Sequence, residues 1–483
     1  GVKKGDKVGL FAESNGLWMA NALGIQKCGA IDVVRGSNAP IEELEYITAH
    51  ADCKGLILRD EKLYKAMKPF LEKYSLDFII ITYSEGNIDT TNVKTKIYTH
   101  KDIIELGKNH TFTPVAMSRD DDGTILYTSG TTGNPKGVLH EYGNLERLVR
   151  SANYQGEEMF LPGERFALAA PLNFVASLMV LSYSLYRGCG ASHILSFATV
   201  KNPLALMKYL LLKRITLFFL TPTYAKKFAG KTGPFLKKMA VGSEPANNFH
   251  LKGVANLNMY AQSEGGIVTC MFKIDKEYDV CPVGKPQFDL KYRIVDDEGN
   301  DVPDGEIGEF IFENPYVRGY INLPEETAKA FKDGYFYTAD LAQTLPDGNI
   351  AICGRKSDMI KINGNRIEPA EIEATIRSVL NIDWCAVRGF VSDEHSFICA
   401  YYTADITFDA DSVRAELQKR LPYYMIPAYF TKIDSIPVMS SGKMDRNALP
   451  KPEVQNIERT YKEPTTEIEA ALCNAMQKVL NME

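Results

Sequence analysis

The sequence has no excess of positive charge, no long apolar segment and no closely spaced cysteine pair. It has 55 Lys and Arg against 61 Asp and Glu, a formal net charge of −6. This balance argues against a nucleic-acid partner, because binding to phosphate backbones needs clustered cations. The longest apolar run, Tyr209–Leu220, is interrupted by Lys213 and Arg214. We therefore expect no membrane span, which needs about 18 apolar residues.

The cysteines and histidines exclude two further classes of protein. The nine cysteines stand singly, without a C-x-x-C pair, which indicates buried reduced thiols and a reducing compartment. We therefore expect a cytoplasmic protein. The seven histidines show no H-E-x-x-H or similar spacing, so no zinc site is expected.

The 483 residues do contain the hydrophobic patterns of two different kinds of globular structure. Short apolar runs such as Gly55–Leu58 and Phe78–Ile81 alternate with helical patterns up to about residue 200, which is typical of βαβ units. Strand-like segments separated by turns follow from about residue 280, and a small α+β pattern begins near Ser357. The prediction is an α/β and α+β protein: a large N-terminal domain of layered sheets with covering helices, and a small α+β C-terminal domain.

The last residues form a helical pattern whose apolar stripe needs a partner. Thr466-x-x-Glu469 is a capping-box signature, and Ile468, Leu472 and Met476 lie on one face of the predicted helix. Two interpretations stay open: the helix packs on its own domain, or it begins a further domain. The first residues, which contain neither an initiator Met nor a signal peptide, favour a piece of a longer protein.

The segment Ile125–Gly137 carries the strongest chemical signal. Glycines allow the backbone to surround an anion with N–H groups, hydroxyls donate further hydrogen bonds, and Lys136 adds a positive charge. A lone stretch of this composition is more often a surface turn, and its spacing is not that of a Walker loop. The candidate phosphate-binding residues are Thr128, Ser129, Gly130, Thr131, Thr132, Gly133 and Lys136.

This T-S-G-T-T-G-x-P-K-G stretch resembles the phosphate loop of the adenylate-forming superfamily, which includes acyl-CoA synthetases, luciferases and the adenylation domains of nonribosomal peptide synthetases. Further segments resemble the superfamily's motifs, in the same order, over nearly the whole chain. They are Gly242-Ser243-Glu244, Tyr260-Ala261-Gln262-Ser263-Glu264, Tyr337-Thr338-Ala339-Asp340, Gly354–Asp358 with Arg366–Glu373, Leu421–Pro427 and Ser441–Arg446. The last two segments look most like the peptide-synthetase branch.

The resemblance implies an AMP-forming ligase. A carboxylic acid would attack the α-phosphate of ATP in the presence of Mg²⁺, releasing pyrophosphate and leaving an acyl adenylate. The acyl group would then pass to the phosphopantetheine thiol of a downstream carrier domain. A free-standing acyl-CoA synthetase that uses coenzyme A is the alternative. A non-catalytic ATP- or adenylate-binding module is the alternative from another class.

The resemblance also implies a division of the chain. Residues 1–356 would form the core with the ATP and acid site, residues 357–460 a small mobile domain with the catalytic lysine, and residues 461–483 a linker and the start of a truncated carrier domain. The small domain would swing about Ser357, where the family usually has Asp or Lys. Gly364 would line a pantetheine passage, although a turn glycine is the plainer interpretation.

The resemblance assigns roles to residues that would otherwise pass for ordinary surface or core positions. Lys443 would bridge the carboxylate and the α-phosphate, and Glu264 would bind Mg²⁺. Asp340, aided by Arg355, would accept hydrogen bonds from the ribose hydroxyls. Tyr260 would stack on adenine, and the remaining residues on the adenine and ribose side would be Gly242, Ser243, Glu244 and Ser263.

The predicted acid pocket lacks the aspartate that amino-acid-activating members place in an F-D-x-S segment. Val175 stands there instead and cannot neutralise a buried ammonium group. The other predicted pocket residues are Asn173, Phe174, Ala176, Met179, Thr223, Met239, Val241, Met259, Ile267 and Val268. This set favours a hydrophobic acid without an α-ammonium, with Asn173 serving an aryl acid. An amino acid whose amine is held elsewhere, and an alignment shifted by a residue or two, stay open.

Overall fold

The computed structural model divides the chain into two compact units. It describes residues 1–128, 134–144, 153–154, 157–158, 161–173, 175, 178, 190–196, 199–200, 202–226, 233–266, 268–287, 290–314, 317–356, 360–362, 365–367, 369–390, 397–438, 444–452 and 466. The first unit contains Gly1–Ile360, and the second contains Lys361–Ile367 and Ile372–Met439. Each unit has its own hydrophobic core and is considered by itself.

An eight-stranded sheet forms the first layer of the large unit. Its strands are β1 Lys7–Phe11, β2 Ile31–Val34, β3 Gly55–Asp60, β4 Phe78–Tyr83, β5 Lys96–Thr99, β6 Asp122–Thr128, β7 Lys136–Glu141 and β19 Val317–Tyr320. Their order is β19-β7-β6-β2-β1-β3-β4-β5. The strands from β6 to β5 run parallel, whereas β7 and β19 are antiparallel additions at one edge. The apolar runs predicted to be buried strands are β3 and β4.

Helices pack on this sheet and begin at side chains that suit a helix N-terminus. They are α1 Gly16–Lys27, α2 Ile41–His50, α3 Glu61–Leu71 and α4 His100–Lys108. The Asn15 side chain accepts hydrogen bonds from the N–H groups of Leu17 and Trp18, and Asp60 accepts one from Leu63. Such caps satisfy N–H groups that have no partner within the helix. They therefore fix where α1 and α3 begin.

A seven-stranded sheet forms the second layer. Its strands are β10 Arg165–Leu168, β11 Ala191–Ile194, β12 Leu217–Leu220, β13 Lys238–Gly242, β14 Ala255–Ala261, β15 Val268–Ile274 and β16 Lys285–Pro286, with helices α5 Pro203–Leu212 and α6 Pro222–Lys226 between strands. β11 to β14 are parallel, so their carboxyl ends lie at one edge. A separate short hairpin pairs β8 Asn153–Tyr154 with β9 Glu157–Glu158.

An antiparallel sheet completes the large unit. It contains β17 Tyr292–Val295, β18 Gly308–Glu313, β20 Phe331–Lys332, β21 Tyr335–Thr344 and β22 Ile350–Arg355, and helix α7 Pro324–Ala330 precedes β20. One hydrophobic cluster joins Leu126 of the first sheet, Phe166 of the second and Phe310 of the third. The three sheets are therefore held around a shared core, and the ends of their strands can supply one site.

The second unit is a small α+β structure. Its elements are β24 Asn365–Ile367, α8 Pro369–Leu380, β25 Cys385–Phe390, β26 Phe397–Tyr402, α9 Ala410–Gln418 and β27 Tyr429–Lys432, with 3₁₀ turns at Tyr423–Met425 and Arg446–Ala448. β23 Ile360–Ile362 pairs with β24. Tyr401 and Cys399 on β26 pack with Leu449 in the core. Glu373 accepts hydrogen bonds from the Val387 N–H and from Arg446, which ties the C-terminal segment to α8.

The predicted α/β and α+β architecture is confirmed. The functions predicted for residues 1–356, 357–460 and 461–483 stay predictions. No helix within the described ranges is long and apolar enough to cross a membrane.

Candidate functional site

The predicted phosphate loop connects two antiparallel strands. Thr128 ends β6 and is the register partner of Lys136, which begins β7. The ladder therefore fixes both ends of the loop beside each other, at the carboxyl end of a strand in the parallel part of the sheet. The predicted loop residues between them, Ser129, Gly130, Thr131, Thr132 and Gly133, lie outside the described residues.

Glu264 lies at the fixed end of this loop. It follows β14, and its Oε1 accepts hydrogen bonds from the Tyr320 hydroxyl at 3.2 Å and from Thr128 Oγ1 at 3.5 Å. Asn314 Nδ2 donates to the Glu264 backbone carbonyl at 2.5 Å. Burial, and secondly the Glu264 charge, raise the pKa of Tyr320. The Tyr320 phenol therefore stays a neutral donor that orients the Glu264 carboxylate.

Lys136 is held by two groups, the ring of Tyr320 at the end of β19 and the carboxylate of Glu326 on α7. Its Nζ lies 2.5 Å from Glu326 Oε2 on α7 and 5.3 Å from the centroid of the Tyr320 ring. Lys329 Nζ lies 2.9 Å from the other oxygen of Glu326. The hydrogen bonds from Lys136 and then from Lys329 lower the pKa of Glu326 to about 2. Glu326 is therefore an ionised carboxylate at neutral pH.

Glu264 is chemically suited to a magnesium ion that arrives with a nucleotide. Among the described residues, no group of three or more His, Cys, Asp or Glu side chains is arranged to hold a metal by itself. Mg²⁺ at nucleotide sites needs only one or two protein carboxylates, because phosphate oxygens and water complete its shell. A single carboxylate beside the Thr128 hydroxyl meets that requirement.

A second polar cluster surrounds Asp340, which is buried at 6% exposure on β21. Its Oδ2 accepts hydrogen bonds from the Tyr260 hydroxyl at 2.7 Å and from the Gln262 amide, and its Oδ1 accepts one from Arg355 Nε at 2.8 Å. The Asp340 N–H donates to Thr338 Oγ1 at 3.0 Å. The charge of Asp340 raises the pKa of Arg355, while burial and then Asp340 raise that of Tyr260. The structure therefore brings together three of the predicted adenine and ribose residues.

The residue before Asp340 has an unusual backbone conformation. Ala339 has φ 56°, in the left-handed region that favours glycine, and the family motif has Gly at this position. Its N–H donates to Glu309 Oε1 at 3.0 Å, and Lys356 donates its own N–H to the Ala339 carbonyl at 2.8 Å. Lys356 Nζ also lies 3.0 Å from Glu309 Oε2. These contacts hold the strained turn that presents Asp340.

The other adenine-side residues lie at the ends of β13 and β14. Gly242 is the register partner of Met259, and a Cβ at Gly242 would lie 2.6 Å from the Met259 carbonyl oxygen. Ser243 follows in the left-handed region with φ 71° and is exposed. Glu244 and Ser263 are half-buried beside these strand ends. The edge formed by parallel strand ends is where ligands bind in open α/β sheets.

The predicted acid-pocket residues are divided between the two faces of the second sheet. Met259 and Val268 pack in the central cluster, and Val175 packs against it, whereas Met239 and Val241 pack in a separate cluster. Successive residues of a strand point to opposite faces of the sheet, so Met239 and Val241 share one face of β13. Met259 is the register partner of Gly242, the residue after Val241, and therefore lies on the other face. The Asn173 side chain lies near Gly36, within 3.5 Å of where a Cβ would stand. A single pocket that contains all these residues stays a prediction.

Several predicted site residues lie outside the described part of the chain. They are the catalytic candidate Lys443, the hinge candidate Ser357, the passage candidate Gly364, and the pocket candidates Phe174, Ala176, Met179 and Ile267. The side chain of Thr223 is likewise outside the description. Their roles stay predictions.

Comparison with known proteins identifies the family. The AMP-binding enzyme family matches residues 1–321, which is more than half of the chain. The chain belongs to this family. The predictions of the superfamily, of an enzyme and of acid activation as an acyl adenylate are thereby confirmed at the family level, and adenylate-forming enzymes use ATP.

The curated relatives of this AMP-binding enzyme are peptide synthetases. Bacitracin synthase 1 from Bacillus licheniformis is 29% identical over 494 residues, covering 100% of this chain and 9% of that protein. Gramicidin S synthase 2 from Brevibacillus brevis is 30% identical over 509 residues, covering 100% of this chain and 11% of that protein. The chain thus spans about a tenth of the length of these relatives.

Solved structures share the fold. An anthranilate–CoA ligase in complex with anthranoyl-AMP superposes with a TM-score of 0.76 at 22% identity, covering 92% of this chain and 86% of that chain. ATP-bound MatB from Rhodopseudomonas palustris gives a TM-score of 0.79 at 22% identity, covering 93% and 89%. At this identity the likeness establishes the architecture alone.

Sequence reasoning missed three residues that the structure places in the site of this AMP-binding enzyme. Gln262 has no role in the prediction beyond its place in the Tyr260–Glu264 motif, yet its amide donates to Asp340. Tyr320 and Glu326 lie between recognised motifs, and no spacing in the sequence marks them as neighbours of Lys136. The one available signal was the composition of the 319–327 segment, which places a glycine, an aromatic residue and two acids close together.

Proposed function

We propose that this AMP-binding enzyme activates a hydrophobic carboxylic acid as a unit of a nonribosomal peptide synthetase and transfers it to the phosphopantetheine thiol of a carrier domain. The observation that carries the proposal is the meeting of Thr128, Lys136 and Glu264 at the fixed end of the phosphate loop. The peptide-synthetase names of the curated relatives support the choice of pathway and of acceptor.

The chemistry requires two anions, a carboxylate and a triphosphate, to approach each other. Lys136 would supply a cation to the phosphates, and Glu264 would hold Mg²⁺, whose positive charge stabilises the phosphate oxygens when it is bound. Lys443 would bridge the acid and the α-phosphate. Fixed charges aimed at the reacting atoms lower the barrier because they need no rearrangement during the reaction.

The ribose side of the proposed nucleotide site is already organised by the protein. The Asp340 carboxylate accepts hydrogen bonds from Tyr260, Gln262 and Arg355. Because an ionised carboxylate offers about four lone-pair positions, it retains capacity for a ribose hydroxyl. Tyr260 would then lie beside the adenine. These assignments belong to the proposal.

The acid is proposed to lack an α-ammonium group. Val175 is partly buried against the central hydrophobic cluster, where an unpaired ammonium would be costly. We propose a hydrophobic or aryl acid, with Asn173 as a polar contact. We also infer a reducing compartment such as the cytoplasm, since Cys28, Cys53, Cys270, Cys281, Cys385 and Cys399 are free thiols.

ATP–pyrophosphate exchange tests the activity and the acid together. A panel of aliphatic, α-keto, aryl and α-amino acids should show exchange with the acids that lack an amine. Val175→Asp should shift the preference toward α-amino acids. Tight ATP binding without exchange for any acid would instead favour a non-catalytic module.

Lys443→Ala should lower exchange by orders of magnitude, whereas Lys419→Ala, at an exposed lysine of the same unit, should not. Unchanged exchange in Lys443→Ala would remove that residue from the mechanism. Transfer of the acyl group is then followed with a phosphopantetheinylated carrier domain and with coenzyme A. Faster transfer to coenzyme A would overturn the proposed acceptor.

A further inference from the structure

The phosphate-loop lysine carries its own counter-ion. Lys136 Nζ and Glu326 Oε2 are 2.5 Å apart, and their side chains are only 17% and 29% exposed. The Tyr320 ring covers the lysine from another direction. The pair is therefore a close, charge-assisted hydrogen bond between two side chains that are partly shielded from solvent.

Glu326 is held in place by a well-defined backbone framework. β19 pairs with β7, with Tyr320 opposite Val138, and the Ile321 N–H donates to the Gly137 carbonyl at 2.9 Å. Thr327 Oγ1 accepts a hydrogen bond from the Tyr320 N–H at 2.9 Å and donates to the Leu323 carbonyl at 2.9 Å.

This framework also needs a glycine. Gly319 has φ 107°, and a Cβ at that position would collide with the Thr327 side chain. The carboxylate of Glu326 is thus presented to Lys136 from α7, the helix that follows the strand paired with β7.

Phosphate oxygens and the Glu326 carboxylate would compete for the same ammonium group. An ammonium donates hydrogen bonds and has no acceptor, so an arriving phosphate must displace or share the carboxylate. Two anions held at one cation also repel each other. The nearby Glu264 carboxylate, reached through the Tyr320 hydroxyl, adds to the negative charge in this region.

We propose that Glu326 is a positioning residue that occupies Lys136 as a resident counter-ion until the terminal phosphates of ATP displace it, and that it re-forms the pair when pyrophosphate leaves. The inference rests on the proposed role of Lys136 in phosphate binding. Its consequence is that Glu326 weakens the binding of ATP and of pyrophosphate and speeds product release. Removing the Glu326 charge should therefore strengthen nucleotide binding. If Glu326 only supported the fold, the same change would weaken it.

Glu326→Gln tests this directly, because it keeps the side-chain size and removes the charge. Titration calorimetry of the full chain with ATP and with pyrophosphate, both with Mg²⁺, should give dissociation constants about three- to tenfold lower than those of the unchanged protein. In exchange assays the KM for ATP should fall without a rise in kcat. Glu325→Gln is the matched control, since it removes the same charge from an exposed neighbour on α7 and should leave both constants within about twofold.

A second pair of variants separates the ion pair from general electrostatics. In a Lys136→Gln background, Glu326→Gln should no longer strengthen binding, because the competing contact is absent. Glu326→Asp keeps the charge on a shorter side chain and should give an intermediate gain.

Weaker or unchanged nucleotide binding in Glu326→Gln, an equal gain in Glu325→Gln, or no effect of Lys136→Gln on ATP binding would each overturn the inference. The binding constants could follow the expected pattern in a protein that activates no acid. That result would overturn the proposed function but support the counter-ion role of Glu326.

Discussion

The two polar clusters of the large unit differ in how their charges are held. On the ribose side, Asp340 is buried and accepts three side-chain hydrogen bonds, one of them from Arg355. On the phosphate side, Lys136 forms an ion pair with Glu326 and lies over the Tyr320 ring, and Glu264 accepts longer hydrogen bonds of 3.2 and 3.5 Å. The first cluster is a closed network, and the second is a set of contacts that a ligand can replace.

This difference matches the two tasks of the proposed site. A network that is complete before the ligand arrives orients the ribose without further rearrangement. The phosphate side must accept a triphosphate and release pyrophosphate in every cycle, so its charges need partners that exchange. Changes on the ribose side should therefore affect both stability and activity, whereas changes on the phosphate side should act mainly on binding and rate.

Asp340→Ala should have the largest effect. It leaves the Arg355 guanidinium and the Tyr260 hydroxyl without their shared acceptor, and loss of such a buried partner costs about 2–4 kcal/mol. Exchange activity should fall more than about 100-fold, together with a lower thermal midpoint. Asp340→Asn, which keeps one acceptor oxygen, should recover part of the stability. An Asp340→Ala protein with unchanged stability would contradict the closed-network description.

Glu264→Gln should reduce activity without the loss of stability that is expected for Asp340→Ala. The amide keeps an acceptor for Tyr320 but removes the charge that would hold Mg²⁺, so we expect exchange to fall about 10- to 100-fold and the Mg²⁺ requirement to rise. Mg²⁺ titration of the exchange rate measures this effect, with Glu298→Gln, at an exposed carboxylate of the same unit, as a control. An unchanged Mg²⁺ dependence would remove Glu264 from the metal site.

Asp32 extends the comparison to a buried carboxylate whose side-chain donors among the described residues are neutral. Gln26 and Thr124 donate to it at 3.1 and 2.9 Å, and burial raises its pKa to about 6. The folded protein thus holds this proton more tightly than the unfolded chain does. The resulting stabilisation is complete below about pH 4 and is lost as the pH rises through about 6.

Asp32→Asn should remove that pH dependence. Relative to the unchanged protein, the variant should gain about 1–3 kcal/mol between about pH 4 and pH 7, measured as the shift of the urea unfolding midpoint. Glu42→Gln, at an exposed carboxylate on α2, is the control and should show no such shift. A relative loss of stability at neutral pH would show that hydrogen bonding at Asp32 outweighs desolvation.

Ala339→Gly should have the smallest effect, a small gain in stability. A left-handed backbone costs an alanine about 1–2 kcal/mol, while glycine loses about 0.5–1 kcal/mol of unfolded-state freedom, so we expect a net gain of about 0.5–1 kcal/mol. Chemical unfolding measures it. The same change at Ala330, the last residue of α7, should be destabilising because that position is helical. A destabilised Ala339→Gly would mean that the turn is not strained.

Much of the fold was predictable where the pattern is local. The apolar runs at Gly55–Leu58 and Phe78–Ile81 lie within β3 and β4, and the small α+β pattern predicted after Ser357 contains α8 and α9. Apolar periodicity, capping residues and turn residues act over a few neighbouring positions, so a single sequence records them.

The candidate site was predictable in its motifs and not in its contacts. The resemblance named Asp340, Tyr260 and Arg355, and the structure joins them. The resemblance did not reveal that Gln262 completes this network, nor that Met239 and Met259 belong to different hydrophobic clusters. A motif gives residue types at fixed spacing, whereas the face on which a side chain lies depends on strand register.

By itself, the sequence determined the family, the two kinds of architecture and the positions of the reactive motifs, because each depends on patterns among neighbouring residues. Tertiary structure decided which charges meet. Lys136 and Glu326 are 190 residues apart in the chain, and Tyr260 and Asp340 are 80 apart. Their contacts depend on the order in which distant strands pair, and no local preference encodes that order.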